Sequence, residues 1–149
     1  MDGVSIRNGD WVLVGDGVKA MLFRNDGDAD YPNLAVIDLV EHENPATREQ
    51  GTDRPGRMYD AGPGHKSAME ETDWHRFEKE RFAKDLAEML YKKAHRRQFD
   101  RLVIIAPPTT LGDLRKALHG EVSARVVAEV DKTLTNHPVN QIEKMLTRS

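Results

Sequence analysis

The 149-residue chain contains no cysteine. It can therefore form no disulfide, offer no thiolate to a metal and use no thiol nucleophile, a composition that fits a reducing compartment. Aromatic residues make up only 6% of the chain and charged residues 32%, so a modest core sits inside a heavily solvated exterior. No apolar run approaches the roughly 20 residues that a membrane-spanning helix needs. The opening residues, Met1 to Asp10, lack the apolar segment of a signal peptide. A soluble, cytoplasmic protein with no membrane insertion is the expectation. Also missing are a G-x-S-x-G elbow, a phosphate-binding glycine loop of the G-x-x-x-x-G-K type and an H-E-x-x-H pair. No catalytic residue, cofactor or metal ligand set is expected, and a non-enzymatic role is favoured.

An excess of positive charge is lacking too. The net charge is −3, with −6 carried by residues 1–43, +2 by residues 44–101 and +1 by residues 102–149. General nucleic-acid binders are basic overall, so this balance argues against broad nucleic-acid binding while leaving room for a local RNA contact.

What is present begins with Leu102 to Ala106, a short, continuous apolar run rich in β-branched residues. Such a run marks a strand buried on both faces. Pro107-Pro108 stops it, since neither proline can donate to a sheet ladder. Thr110 with Asp113 three residues on resembles a capping box, and Leu111, Leu114 and Leu118 then share a helical stripe. A buried strand feeding a helix through a tight turn implies a layered α/β domain with a partly parallel sheet.

Upstream, Trp11–Val14 and Lys19–Phe23 flank Gly15-Asp16-Gly17, whose Asp-Gly step signals a two-residue hairpin. Residues 25–33 are turn chemistry, with acidic and amide side chains at odd spacing but without the full pattern of a calcium loop. Leu34–Val40 reads as a third strand. Residues 75–97 read as a long helix, with Phe82, Leu86, Met89, Leu90 and Ala94 on one side and Lys92, Lys93, Arg96 and Arg97 at its end. Trp74 and Phe77 lie off that stripe. Ala124–Val130 reads as a fifth strand, and Pro138 opens a last helix striped by Val139, Ile142, Met145 and Leu146. A right-handed crossover through the long helix then predicts one domain with a mixed five-stranded sheet in the order 3-2-1-4-5.

Residues 42–73 show no periodicity and are punctuated by Gly51, Gly56, Gly62, Gly64, Pro45, Pro55 and Pro63. A loop of that length in a compact domain is usually functional or disordered. Within it, Arg48, Gln50, Gly51, Arg54, Gly56 and Arg57 form the candidate partner-binding or RNA-binding set: three arginines around glycines, as in a phosphate-contacting loop. Glu49, Asp53 and Asp60 oppose them. A metal-dependent nuclease is a weaker reading, because only Asp16 and Asp38 are placed to offer carboxylates.

The chain also resembles a known family. Val12 to Ala20, Asp53-Arg-Pro-Gly-Arg57, Leu102-Val-Ile-Ile-Ala-Pro-Pro108, Leu111-Gly-Asp-Leu-Arg115 and Asp131-Lys-Thr-Leu-Thr135 are similar to stretches of the bacterial proteins required for attachment to host cells. That family is in turn similar to the central domain of archaeal and eukaryotic peptide-chain release factors, which has a ribonuclease H-like order of elements. In those factors the loop after the third strand carries Gly-Gly-Gln; here Gln50-Gly51 stands in reversed order. The resemblance implies a non-catalytic interaction module with a protein partner that the sequence does not identify, acting on attachment indirectly. Its alternative is a protein that binds the ribosome or tRNA through the 42–73 loop.

Overall fold

The computed structural model describes residues 6–41 and 68–146, with the backbone alone over 68–73. Strands β1 (Trp11–Gly15), β2 (Lys19–Asn25) and β3 (Leu34–Glu41) are followed by helix α1 (Ala68–His95). Strand β4 (Leu102–Ala106), helix α2 (Pro108–Ala117), the short turn of helix α3 (Gly120–Ser123), strand β5 (Val126–Asp131) and helix α4 (Val139–Leu146) complete the order. The five strands form one sheet in the order β3-β2-β1-β4-β5. β1 pairs antiparallel with β2 and parallel with β4, Trp11 lying beside Leu102 and Val14 beside Ile105. The parallel pairing follows from the crossover through α1, as the order of elements predicts.

Both central strands, β1 and β4, are buried throughout. Side chains alternate between the two faces of each strand, so each strand supplies two cores. Leu13, Leu22, Leu102 and Ile104 meet Phe82, Leu86 and Leu90 of α1 and Leu111 and Leu114 of α2. Val12, Val14, Phe23, Val103 and Ile105 meet Ile6, Ile142 and Leu146 on the other face. The result is three layers, with α1, α2 and α3 on one face and α4 on the other.

Several local expectations are corrected. Helix α1 starts at Ala68 rather than at residue 75, taking in residues 68–73 that read as loop. Ala68, Met69, Glu70 and Glu71 are good helix formers, and that intrinsic preference outweighs the lack of an apolar stripe there. The rest of the predicted loop, 42–67, lies outside the described residues. Thr110 is not a cap: α2 already begins at Pro108, its N-cap is Pro107, and no side chain caps it. Pro108 is preset for the first helical position, which draws the start forward by three residues, from a cap at Thr110 to one at Pro107. The short helix α3 has too few residues to show a period. In the hairpin, Asp16 N–H donates to the Lys19 carbonyl, so the central pair is Gly17-Val18 and not Asp16-Gly17. The reason is the Asp16 carboxylate, which accepts from the amides of Val18 (3.1 Å) and Lys19 (2.9 Å) and leaves the positive φ of 103° to Gly17.

At the opposite edge of the sheet, buried Asp10 joins the entries of β1 and β4. Its carboxylate accepts from Arg101 Nε at 2.9 and 3.0 Å and from the Arg7 amide at 2.8 Å. Trp11 stacks on Phe99 beside it, with ring centroids 4.7 Å apart.

Helix α1 ends where Arg97 takes a left-handed φ of 59°, its amide donating to the Ala94 carbonyl. Glycine is the residue that this cap conformation favours. Arg97→Gly is therefore expected to raise stability by about 0.5–1 kcal/mol, read as a higher denaturant midpoint at unchanged m-value. A lower midpoint would mean that the arginine side chain contributes more than its backbone strain costs.

Candidate functional site

Strands β1, β3, β4 and β5 all run in one direction, so their C-terminal ends open on the same edge of the sheet. Open α/β sheets gather ligand sites at that edge, where loops leave the strands and helix N-termini point outward. Three turns meet there. The hairpin turn at Asp16–Lys19 leaves β1, the Pro107–Thr110 turn leaves β4, and the segment after β5 returns Thr135 to donate its hydroxyl to Asp16 Oδ2 at 2.8 Å. The carboxylate of Asp16 is thus held by two backbone amides and a buried threonine. It works as a structural acceptor that ties the hairpin to the β5–α4 connection.

Gly17 lies on the inner side of this junction. A Cβ placed there would stand 3.5 Å from Cγ and Cδ of Lys79 and 3.5 Å from Oγ1 of Thr110. The hairpin, the N-terminal half of α1 and the first turn of α2 therefore converge on one glycine. Lys79 is exposed, and its i±3 and i±4 neighbours on the helix are His75, Arg76, Phe82 and Ala83, none of them acidic. Thr110 is only 4% exposed. Sequence reasoning gave Thr110 the wrong role and did not single out Lys79, because neither residue has a partner at a fixed spacing along the chain.

The nuclease reading asks Asp16 and Asp38 to converge, and they do not. Asp38 lies beside Lys93, with Oδ2 3.8 Å from Nζ. Lys93 is fourteen residues further along α1 than Lys79, the residue beside Gly17, a separation of about 21 Å along the helix axis. Among the described residues no group of three or more His, Cys, Asp or Glu side chains is placed to hold a metal ion. In the 25–33 turn the acidic and amide groups serve the backbone instead. Asp28 Oδ1 accepts from the amides of Asp30 and Tyr31, and Arg24 hydrogen-bonds Asp26, which lowers the Asp26 carboxyl below its ordinary range.

The candidate loop residues Arg48, Gln50, Gly51, Arg54, Gly56 and Arg57 lie outside the described residues. Their flanks are described: Glu41 ends β3, and Ala68 begins α1. Trp74 and Phe77, next along α1, are 43% and 54% exposed and lie against each other with ring centroids 6.1 Å apart. Together they present an aromatic surface on α1.

The family that this order of elements points to is matched directly. A model of bacterial archaeo-eukaryotic release factor family 12 covers residues 10–146. The chain belongs to that family. The match takes in every strand and all but the margins of the domain, and it bears out the relation to release factors. The host-attachment name and the ribonuclease H-like description rest on the sequence resemblance alone. A solved structure described as an archaeal protein is similar at 11% identity and a TM-score of 0.46, over 93% of this chain and 39% of that one. The family 12 chain thus spans well under half of that protein's length. No curated protein matches it. Among the described residues no helix is long and apolar enough to cross a membrane.

Proposed function

We propose that this release-factor-family protein binds the ribosome or tRNA through its 42–73 segment, without peptide-release chemistry of its own. The observation that carries the reading is the family match over residues 10–146. Residues 42–67 of that segment join β3 to α1, the connection that bears Gly-Gly-Gln in the release factors the chain resembles. Here Gln50-Gly51 replaces that triplet, so binding without ester hydrolysis is the activity that fits. On this reading Arg48, Arg54 and Arg57 supply the phosphate contacts, against the opposing charges of Glu49, Asp53 and Asp60. On this reading an effect on attachment to host cells is indirect.

A second reading, an interaction module for a protein partner, draws support from the net charge of −3 and the acidic first 43 residues. The two separate in a sedimentation experiment with ribosomes at two salt concentrations. The wild type is expected to co-sediment at low salt and to dissociate steeply as salt rises, since bound cations return to the phosphates. Each arginine removed should lower the salt slope by roughly one unit, and the Arg48/Arg54/Arg57→Ala variant should no longer associate. Failure of the wild type to associate even at low salt would leave the protein-partner reading in its place.

A further inference from the structure

We propose that the C-terminal end of α1 is a second RNA-binding surface, where Lys92, Arg96 and Arg97 hold phosphates and the exposed rings of His95 and His119 stack on unpaired bases. The surface rests on the ribosome or tRNA reading for the class of its partner, and it uses none of the loop arginines.

From Lys92 to Arg101 stand five basic residues and one acidic residue, Asp100, a net of +4 in a chain whose net charge is −3. Two of the five are used within the fold: Lys93 lies 3.8 Å from Asp38, and Arg101 is bound to Asp10. Lys92, Arg96 and Arg97 are exposed and have no ion-pair partner among the described residues. The Arg96 amide still donates to the Lys92 carbonyl, which sets Arg96 one helical turn beyond Lys92.

The negative end of the helix dipole favours cations here, but it does not account for Arg97. That residue lies past His95, the last of α1, and takes a left-handed φ of 59°. Glycine adopts this cap freely, whereas arginine holds it under strain. The Arg97 side chain makes no hydrogen bond or ion pair among the described residues that would offset the strain. Strain kept at an exposed position without internal use points to a contact made outside the fold.

The rings beside these cations select the partner. Tyr91 is half-buried, its ring centroid 5.6 Å from that of His95 and 4.3 Å from that of His119, which the end of α2 delivers to the same place. Both histidines are exposed. His119 Nδ1 accepts from the Glu121 amide at 3.0 Å, so the hydrogen of the neutral ring sits on Nε2, a donor with no partner among the described residues. Glu121 is the acidic side chain in contact with these rings, its Oε1 3.3 Å from His95 Nδ1. Cations alone would suit an acidic peptide as well as RNA. A carboxylate has no π-face to offer the rings, whereas unpaired nucleotides present a phosphate and a stackable base at every step. His95 lies about 40 Å from Ala68 along α1, so this surface and the β3–α1 connection reach different parts of one partner.

The test is a titration of the full chain with a single-stranded oligoribonucleotide, followed by NMR and, with a labelled strand, by anisotropy at several salt concentrations. Saturable shifts are expected at the amides of Arg96, Arg97 and Gln98 and at the rings of Tyr91 and His119. Lys92→Gln, Arg96→Gln and Arg97→Gly should each lower the salt slope by roughly 0.7 to 1 unit. Arg97→Gly should do so while raising the denaturant midpoint, a pair of effects that a purely structural arginine would not give. His119→Asn keeps a side-chain acceptor for the Glu121 amide and should weaken binding roughly tenfold through the lost ring. The Arg48/Arg54/Arg57→Ala variant should keep the shifts at this surface. Co-sedimentation of the wild type with ribosomes but no saturable shift here would overturn this surface and leave the loop reading standing; shifts here without co-sedimentation would do the reverse. A polyglutamate peptide that gives the same shifts at equal affinity, or slopes unchanged in both Arg96→Gln and Arg97→Gly, would also overturn the proposal.

Discussion

Phe82→Ala is expected to cost about 4 kcal/mol of stability, the largest effect expected of any single side-chain truncation in this core. Phe82 is fully buried at the contact of α1 with the sheet, in the cluster that includes Leu13, Leu22, Leu86 and Ile104. Removing the ring forfeits its burial and leaves a cavity that two rigid layers cannot close. Natural domains are stable by only about 5–15 kcal/mol, so the variant should remain folded with little in reserve. Denaturant unfolding should show a much lower midpoint at the same m-value, and heating should show a Tm lower by about 10 °C. A loss below about 1 kcal/mol would mean that α1 is not anchored to the sheet by this residue. Because Lys79 lies less than one turn away on the same helix, the variant should also blur the amide signals around Gly17.

Asn25→Ala should be the next most damaging change, at about 3 kcal/mol. Asn25 is fully buried at the end of β2, where its side chain serves four backbone groups. Nδ2 donates to the carbonyls of Arg7 (3.1 Å) and Asp28 (3.4 Å), and Oδ1 accepts from the amides of Gly27 and Asn33, both at 2.9 Å. The turn itself cannot relax around the gap, since a Cβ on Gly27 would already collide with the Tyr31 carbonyl. Alanine would leave those part-buried groups without partners inside a turn that cannot rearrange to reach others, and a lost hydrogen bond costs most where its partner goes unsatisfied. Asn25→Asp should fare no better at neutral pH, because a carboxylate would face the Arg7 and Asp28 carbonyls. Hydrogen exchange would check the mechanism: protection of the Gly27 and Asn33 amides should fall well before global unfolding does. Unchanged protection at both amides would show that the turn is held by other bonds.

The family 12 fold was legible in the sequence wherever one physical rule dominates a stretch. Leu102–Ala106 is apolar at every position, and only a strand covered on both faces tolerates that. The stripe from Phe82 to Ala94 can bury only one side, and a right-handed crossover then sets β4 parallel to β1 and yields the sheet order. What the tertiary structure alone decided are the places where distant segments satisfy one another. Asn25 reads as one more turn residue until Arg7, eighteen positions earlier, and Asn33 are brought to its amide. Asp10 and Arg101 are 91 positions apart, with no periodicity to link them. Thr110 offered a plausible cap in sequence because Asp113 follows at the right spacing; the proline at the first helical position moved the helix start and left the hydroxyl inside. Gly17, Lys79 and Thr110 meet for a related reason: three elements end on the same sheet edge, and no local pattern records which of their side chains will face one another across it.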